Sequence, residues 1–150
     1  MALIVVGVDG SEGAQAAVAW AAAEARLRGA RLRAVYAWHL PAAAYGSGGF
    51  VPPVGATWED DLEEAAKAGL SAALDAAAET LAGLDVERRV VEGSAAVVLT
   101  EAAADADLLV VGSRGLGGFK ELLLGSVGHQ SAQHAPCPVV IVRGAAAKHG

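Results

Sequence analysis

A single cysteine in 150 residues leaves no internal disulfide to staple the chain. A fold built without such staples suits a reducing compartment, so the expected location is the cytoplasm. Basic side chains are also scarce, 11 against 17 acidic ones, for a formal net charge of −6. General nucleic-acid binding is excluded on that ground, because affinity for a phosphate backbone needs a concentrated basic face. The small clusters Arg26, Arg28, Arg31, Arg33 and Arg88-Arg89 are expected on solvated surface. Long apolar runs are missing too. The longest, Ala16 to Ala23, is far short of the about 20 residues that span a bilayer. The start, Met1 to Asp9, has no basic n-region and turns acidic early, so neither an export signal nor membrane attachment is expected.

Sequence patterns for catalysis are lacking as well. There is no Gly-x-Ser-x-Gly elbow, no His-Glu-x-x-His pair and no Cys-x-x-Cys, so no catalytic residue is assigned and an enzyme is not expected. His129 and His134 are five apart rather than the four that sets two ligands on one helix face, and no metal site is assigned. Cys137, between two prolines, reads as an inert thiol. What remains is an apolar chain, 54% hydrophobic and long enough to bury roughly two-thirds of its unfolded surface in one domain.

Along the chain, periodicity alternates between strand and helix. Leu3 to Val8 is a continuous apolar, β-branched run ending in Asp9-Gly10-Ser11, which predicts a buried strand and a tight turn. Ala14, Ala17, Val18, Ala21 and Ala25 then recur at helical spacing, with Ser11 as N-cap and Gly29 as stop. Arg31 to Trp38 alternates charge with Leu32, Ala34 and Tyr36 and reads as a second strand. Residues 39–57 carry Pro41, Pro52, Pro53 and four glycines, which predicts a long loop flanked by Trp38 and Trp58, with the two indoles covering the core edge. Trp58 to Leu81 reads as one long acidic helix, Val86 to Val91 as a strand and Ala95 to Ala104 as a helix. Leu108 to Gly112 is an apolar strand, Ser126 to His134 a short helix and Val139 to Val142 the last strand. Strands separated by helical connections specify an α/β fold, a doubly wound five-stranded parallel sheet with helices on both faces. One domain is expected over residues 1–143, with 144–150 as a frayed tail. Ligands of such folds bind beyond the carboxyl ends of the strands, which points to the residues after Val8, Tyr36, Glu92 and Val111.

Residues 112–126 lie between an apolar strand and a helix, and read Gly112-Ser113-Arg114-Gly115-Leu116-Gly117-Gly118-Phe119-Lys120-Glu121-Leu122-Leu123-Leu124-Gly125-Ser126. Closely spaced glycines let amide N–H groups approach an anion, and a following helix offers unpaired N–H groups and the positive end of its dipole. Ser126 can cap that helix and donate its hydroxyl to a phosphate. Walker A fails here, because Lys120 follows Phe119 and precedes Glu121. The dinucleotide fingerprint fails because its third glycine would fall at Lys120. The spacing left is Gly112-x2-Gly115-x9-Gly125-Ser126.

At these residues the chain resembles the ATP-binding branch of the universal stress protein family, whose members carry Gly-x2-Gly-x9-Gly-Ser/Thr after the fourth strand. The resemblance extends to Val6 to Ser11, Ala106 to Gly112 and His134 to Val139, and so covers nearly the whole chain. It implies a Rossmann-like fold, ATP as ligand with Mg²⁺ or Mn²⁺ accompanying it, and a regulatory or stress-survival role. Asp9 would lie near the adenosine end and Ala37 against adenine. Gly112, Gly115, Gly125 and Ser126 would contact ribose and phosphates, with Val127 beside them and Arg114 and Leu116 as secondary contacts. The resemblance also implies a homodimer through Val139 to Arg143, consistent with an apolar edge strand that invites pairing. One departure weakens the implication. The family's segment commonly reads Gly-Ser-Val-Ser, whereas here it is Gly125-Ser126-Val127-Gly128. The missing hydroxyl is worth about 1 kcal/mol, several-fold in affinity. A dimeric interaction protein without useful nucleotide affinity is therefore the alternative reading, and a small nucleotide-hydrolysing or adenylate-transferring enzyme a third.

Overall fold

The computed structural model describes residues 2–39, 58–113, 131 and 133–143. Its elements run β1 (Leu3–Val8), α1 (Glu12–Arg28), β2 (Arg31–Trp38), α2 (Trp58–Ala76), α3 (Ala78–Leu81), β3 (Val86–Glu92), α4 (Ala95–Ala102), β4 (Leu108–Gly112) and β5 (Val139–Val142). The strands form one five-stranded sheet in the order β3-β2-β1-β4-β5. Every pairing is parallel, with Val6 opposite Ala34 on one side of β1 and opposite Val110 on the other. The doubly wound α/β fold expected from the sequence is the one observed.

Because side chains alternate along a strand, β1 feeds two cores at once. Ile4, Val6 and Val8 pack with Leu32, Ala34 and the buried faces of α1, α2 and α3. Val5 packs on the opposite face with Val35, Leu109, Val111 and the α4 residues Val98 and Leu99. Both faces of the inner strands are covered, which is why β1 and β4 read as uninterrupted apolar runs. Among the described residues no helix is long and apolar enough to cross a membrane.

Helix α1 forms as its pattern dictates. Ser11 is extended, and its Oγ accepts the Ala14 N–H at 3.1 Å. The buried residues are Ala14, Ala17, Val18, Ala21, Ala22 and Ala25. At the other end the Gly29 N–H donates to the carbonyls of Ala25 and Arg26, stopping the helix where expected.

Three expectations are corrected. The helix expected over Trp58 to Leu81 is broken at Ala77 (φ −103°, ψ 15°), so α3 is a separate turn. Nothing in Ala76-Ala77-Ala78 announces a break. Just beyond α3 the Arg26 guanidinium donates to the Ala82 carbonyl at 2.8 Å, a contact from α1. Helix α4 ends at Ala102 rather than Ala104, and the carbonyl of Ala102 accepts from Arg33 Nη1 at 2.8 Å.

Arg33 is itself the third correction. It was expected on solvated surface and is 5% exposed, because β2 lies inside the sheet and α4 covers the face on which Arg33 projects. Its charge is matched by Asp105 at 2.8 Å and Glu87 at 3.1 Å. Arg88 and Arg89 are exposed, as expected.

Candidate functional site

From β1 the chain winds outward through β2 to β3 and then returns to the other side of β1 as β4. The strand order therefore reverses between β1 and β4, with α1 on one face of the sheet and Ala135 and Cys137, which precede β5, packed on the other. Such a switch point opens a crevice where ligands of doubly wound sheets bind.

Two short segments leave the sheet at this switch point. After β1, the Ser11 N–H donates to Asp9 Oδ1 at 2.9 Å, folding Asp9-Gly10-Ser11 into a tight turn that leads straight into α1. Gly10 adopts φ +84°, a conformation that glycine enters without steric cost, and a Cβ there would meet nothing within 4 Å. After β4, the Ser113 N–H donates to the Val142 carbonyl at 2.8 Å and keeps the outgoing chain on the line of β5. Between the two segments Gly112 lies against the first turn of α1. A Cβ on it would sit 2.7 Å from both the carbonyl carbon and oxygen of Gly13. The glycine at 112 is thus required by the approach of β4 to α1, independently of any ligand.

The structure brings Asp9 and Gly112 to the same end of adjacent strands. Ala37 lies one residue before the end of β2, opposite Val91, and packs half-buried against the α4-side core. The other expected site residues, Arg114, Gly115, Leu116, Gly125, Ser126 and Val127, lie outside the described residues, as do the loop residues 40–57 and the tail 144–150. Of the helix expected over Ser126 to His134, Ser131, Gln133 and His134 are described and helical.

Sequence reasoning passed over Gly13, whose backbone lies against Gly112. The available signal was a glycine in the first turn of an otherwise alanine-rich helix, a placement that costs up to about 1 kcal/mol and so marks a close approach. It also passed over Gly93, whose N–H donates to the Trp38 carbonyl at 2.7 Å and ties the ends of β2 and β3 together.

The remaining chemistry is muted. Among the described residues no group of three or more His, Cys, Asp or Glu could hold a metal ion. Burial, with a smaller contribution from the Asp107 charge, pushes the Cys137 thiol up, which disfavours the reactive thiolate.

A parallel sheet ordered 3-2-1-4-5, with helices on both faces and a switch point between β1 and β4, defines a Rossmann-like α/β domain. The model of the universal stress protein family matches residues 1–143, and the chain belongs to that family. A universal stress protein of Mycolicibacterium smegmatis is 40% identical over 140 residues, covering 93% of this chain and 45% of that protein. One from Thermus aquaticus is 38% identical over 145 residues, covering 93% of this chain and 97% of its own length. The chain thus spans under half of the first relative and nearly all of the second.

Among solved structures, a universal stress protein from Lactobacillus plantarum superposes with a TM-score of 0.71 at 25% identity, covering 95% of this chain and 97% of that one. A universal stress protein in complex with cAMP superposes with a TM-score of 0.67 at 32% identity, covering 94% of this chain and 96% of that one. An Arabidopsis thaliana family member with AMP bound shares the fold, with a TM-score of 0.63 at 19% identity, covering 100% of this chain and 97% of that one.

Proposed function

We propose that this chain binds an adenine nucleotide, with ATP as the physiological ligand, and acts as a nucleotide-responsive regulatory module in stress survival. The observation that carries the reading is the switch point between β1 and β4, where the Asp9 turn and Gly112 lie at the same end of adjacent strands and from which Gly112-x2-Gly115-x9-Gly125-Ser126 departs in sequence. A cAMP complex of a relative 32% identical to this chain supports the adenine preference.

In this reading Asp9 and Ala37 serve the adenosine end. Gly112, Gly115, Gly125, Ser126 and Val127 hold ribose and phosphates, flanked by Arg114 and Leu116, and Mg²⁺ or Mn²⁺ enters with the nucleotide. The module binds rather than catalyses, and it works in the cytoplasm, as a lone cysteine suits. Gly128 favours a second reading, an interaction protein of the same fold whose nucleotide affinity has been weakened by the lost hydroxyl.

Thermal unfolding of nucleotide-stripped protein against ATP, ADP, AMP and cAMP with Mg²⁺ separates the two. Ligand at a hundredfold over its dissociation constant adds about 2.7 kcal/mol. For a domain of this size that raises Tm by about five to ten degrees. The expected result is an ATP-selective rise abolished in Gly115→Ala and Ser126→Ala. No rise at millimolar ligand would favour the interaction protein.

We further propose that β5 pairs with β5 of a second copy. It is an edge strand of four aliphatic residues, hydrogen-bonded to β4 on one side. Light scattering at tens of micromolar is expected to return the mass of at least a dimer, with amide exchange at Val139 to Val142 slowing as concentration rises. A monomer would rule the pairing out.

A further inference from the structure

Helix α1 is apolar on the side that faces away from the sheet as well as on the side that faces it. Successive residues turn by 100°, so Ala16, Ala19, Trp20, Ala23 and Leu27 fall on one outward stripe, with Glu12 continuing it at the amino end. Trp20 is 36% exposed and Leu27 83% exposed, Ala19 and Ala23 are exposed and Ala16 is half-buried. Between Glu12 and Arg26 the helix carries one charge, Glu24, and that is engaged by Arg28 at 2.8 Å. The neighbouring α2 has an ordinary wet face, with Asp61, Glu64, Lys67 and Asp75 exposed. A helix apolar all round is the signature of one covered on both sides.

We propose that this stripe is a self-association surface, on which a second copy of the chain lays its own α1 antiparallel about a two-fold axis between Trp20 and Ala23. The stripe is self-complementary in shape only in that orientation. With the axis there, residues whose numbers sum to 43 face each other, so the Trp20 indole of each copy lands on Ala23 of the other, and each Leu27 lands on Ala16. Every large side chain meets a small one, the alternation on which interdigitating helices depend. A parallel pair would set Trp20 against Trp20 and leave the alanines facing a gap.

Charge agrees with shape. The stripe begins at acidic Glu12 and ends beside Arg26 and Arg28. The antiparallel pair therefore brings each copy's acidic end to the other's basic end and opposes the two helix dipoles. One helix face is at the low end of interface sizes, so the association is weak and concentration-dependent. It is independent of the nucleotide reading and of β5 pairing. Where β5 also pairs, the α1 contact joins dimers into larger assemblies.

The test is sedimentation equilibrium up to hundreds of micromolar on wild type, Trp20→Ala, Ala23→Trp, Leu27→Glu and the exchange Trp20→Ala/Ala23→Trp, each checked for an unchanged far-UV spectrum. Wild type is expected to self-associate. Each single variant should weaken association at least about tenfold, or lower the mass from four copies to two if β5 holds the dimer. The exchange should restore it, because large still meets small. A wild type with no α1-dependent mass, or single variants that associate as wild type does, would overturn the proposal. So would an exchange variant as weak as its parents, since it would exclude the antiparallel register. Leu27 is so exposed that Leu27→Glu has no fold to break, which keeps the result readable if Trp20→Ala loses stability.

Discussion

Replacing Arg33 by alanine is expected to destabilise the protein by about 3 kcal/mol, lowering Tm by about ten degrees. The guanidinium joins three elements: it donates to Glu87 on β3, to Asp105 beyond α4 and to the Ala102 carbonyl at the end of α4, all from a side chain 6% exposed. Its removal leaves the Ala102 carbonyl without this donor, Glu87 with Arg31 and Arg89 for company, and an unfilled channel where the aliphatic stem lay. The figure is set at the low end for a broken buried pair because the Asp105 side chain is 69% exposed and water can take over its charge. Arg33→Met, which refills the channel but leaves the same partners without their cation, should recover only the packing share of that loss, about 1 kcal/mol. Urea unfolding of the two variants checks this, and equal losses would mean that the ion pairs and hydrogen bonds rather than packing hold the corner.

The same cluster gives stability an acid limb. The hydrogen bond from Arg33 is the largest influence on the Asp105 carboxyl and holds it below its ordinary value. Burial pushes Glu87 up, but the hydrogen bonds and charges of Arg89 and Arg33 outweigh it and the net direction is down. Carboxyls whose folded values are depressed contribute stability above their unfolded values, near pH 4, and lose it as pH falls through the lower folded ones. Arg33, held up chiefly by the Asp105 hydrogen bond, stays charged throughout that window. Stability is therefore expected to drop as pH falls below about 4 in wild type and to drop less in Arg33→Met.

This corner shows where sequence reasoning stopped. The pattern of β1, α1 and β4 was legible because their signals are local: an apolar run, a helical repeat, Ser11 before it and Gly29 after it. The sheet and its two helical layers follow from those signals. Arg33 was misplaced because alternation in Arg31 to Trp38 suggests one wet face, and only the sheet order reveals that β2 is an inner strand with α4 above it. The chain just past α3 and the end of α4 accept hydrogen bonds from Arg26 and Arg33, residues 56 and 69 positions away from their acceptors. No window of neighbouring residues contains that information. At the site, Asp9 and Gly112 could be named from the spacing and the family resemblance. The reason for Gly112 could not, because it lies in the backbone of Gly13.

Gly112→Ala is accordingly expected to damage fold and site together. The new Cβ would lie 2.7 Å from the carbonyl carbon and oxygen of Gly13 and 3.2 Å from the Ala14 nitrogen, all backbone atoms that no rotamer change can move. Either α1 shifts off the sheet or the end of β4 leaves its partners β1 and β5, and overpacking of this kind costs about 3 kcal/mol. Gly7→Ala is the control. Its Cβ would meet Leu99 Cδ1 at 2.8 Å, which is the tip of a flexible side chain able to turn aside, so the cost should stay near 1 kcal/mol. The readouts differ as well. Gly7→Ala should retain the ATP-dependent rise in Tm, because Gly7 lies within β1 and outside the crevice. Gly112→Ala should lose it even at temperatures where the variant remains folded, because the crevice is shaped by the same contact that the methyl group forces apart. If Gly112→Ala is no less stable than Gly7→Ala, the approach of α1 to β4 is not what the glycine serves. If it is destabilised yet keeps the full ATP response, the nucleotide binds away from the switch point.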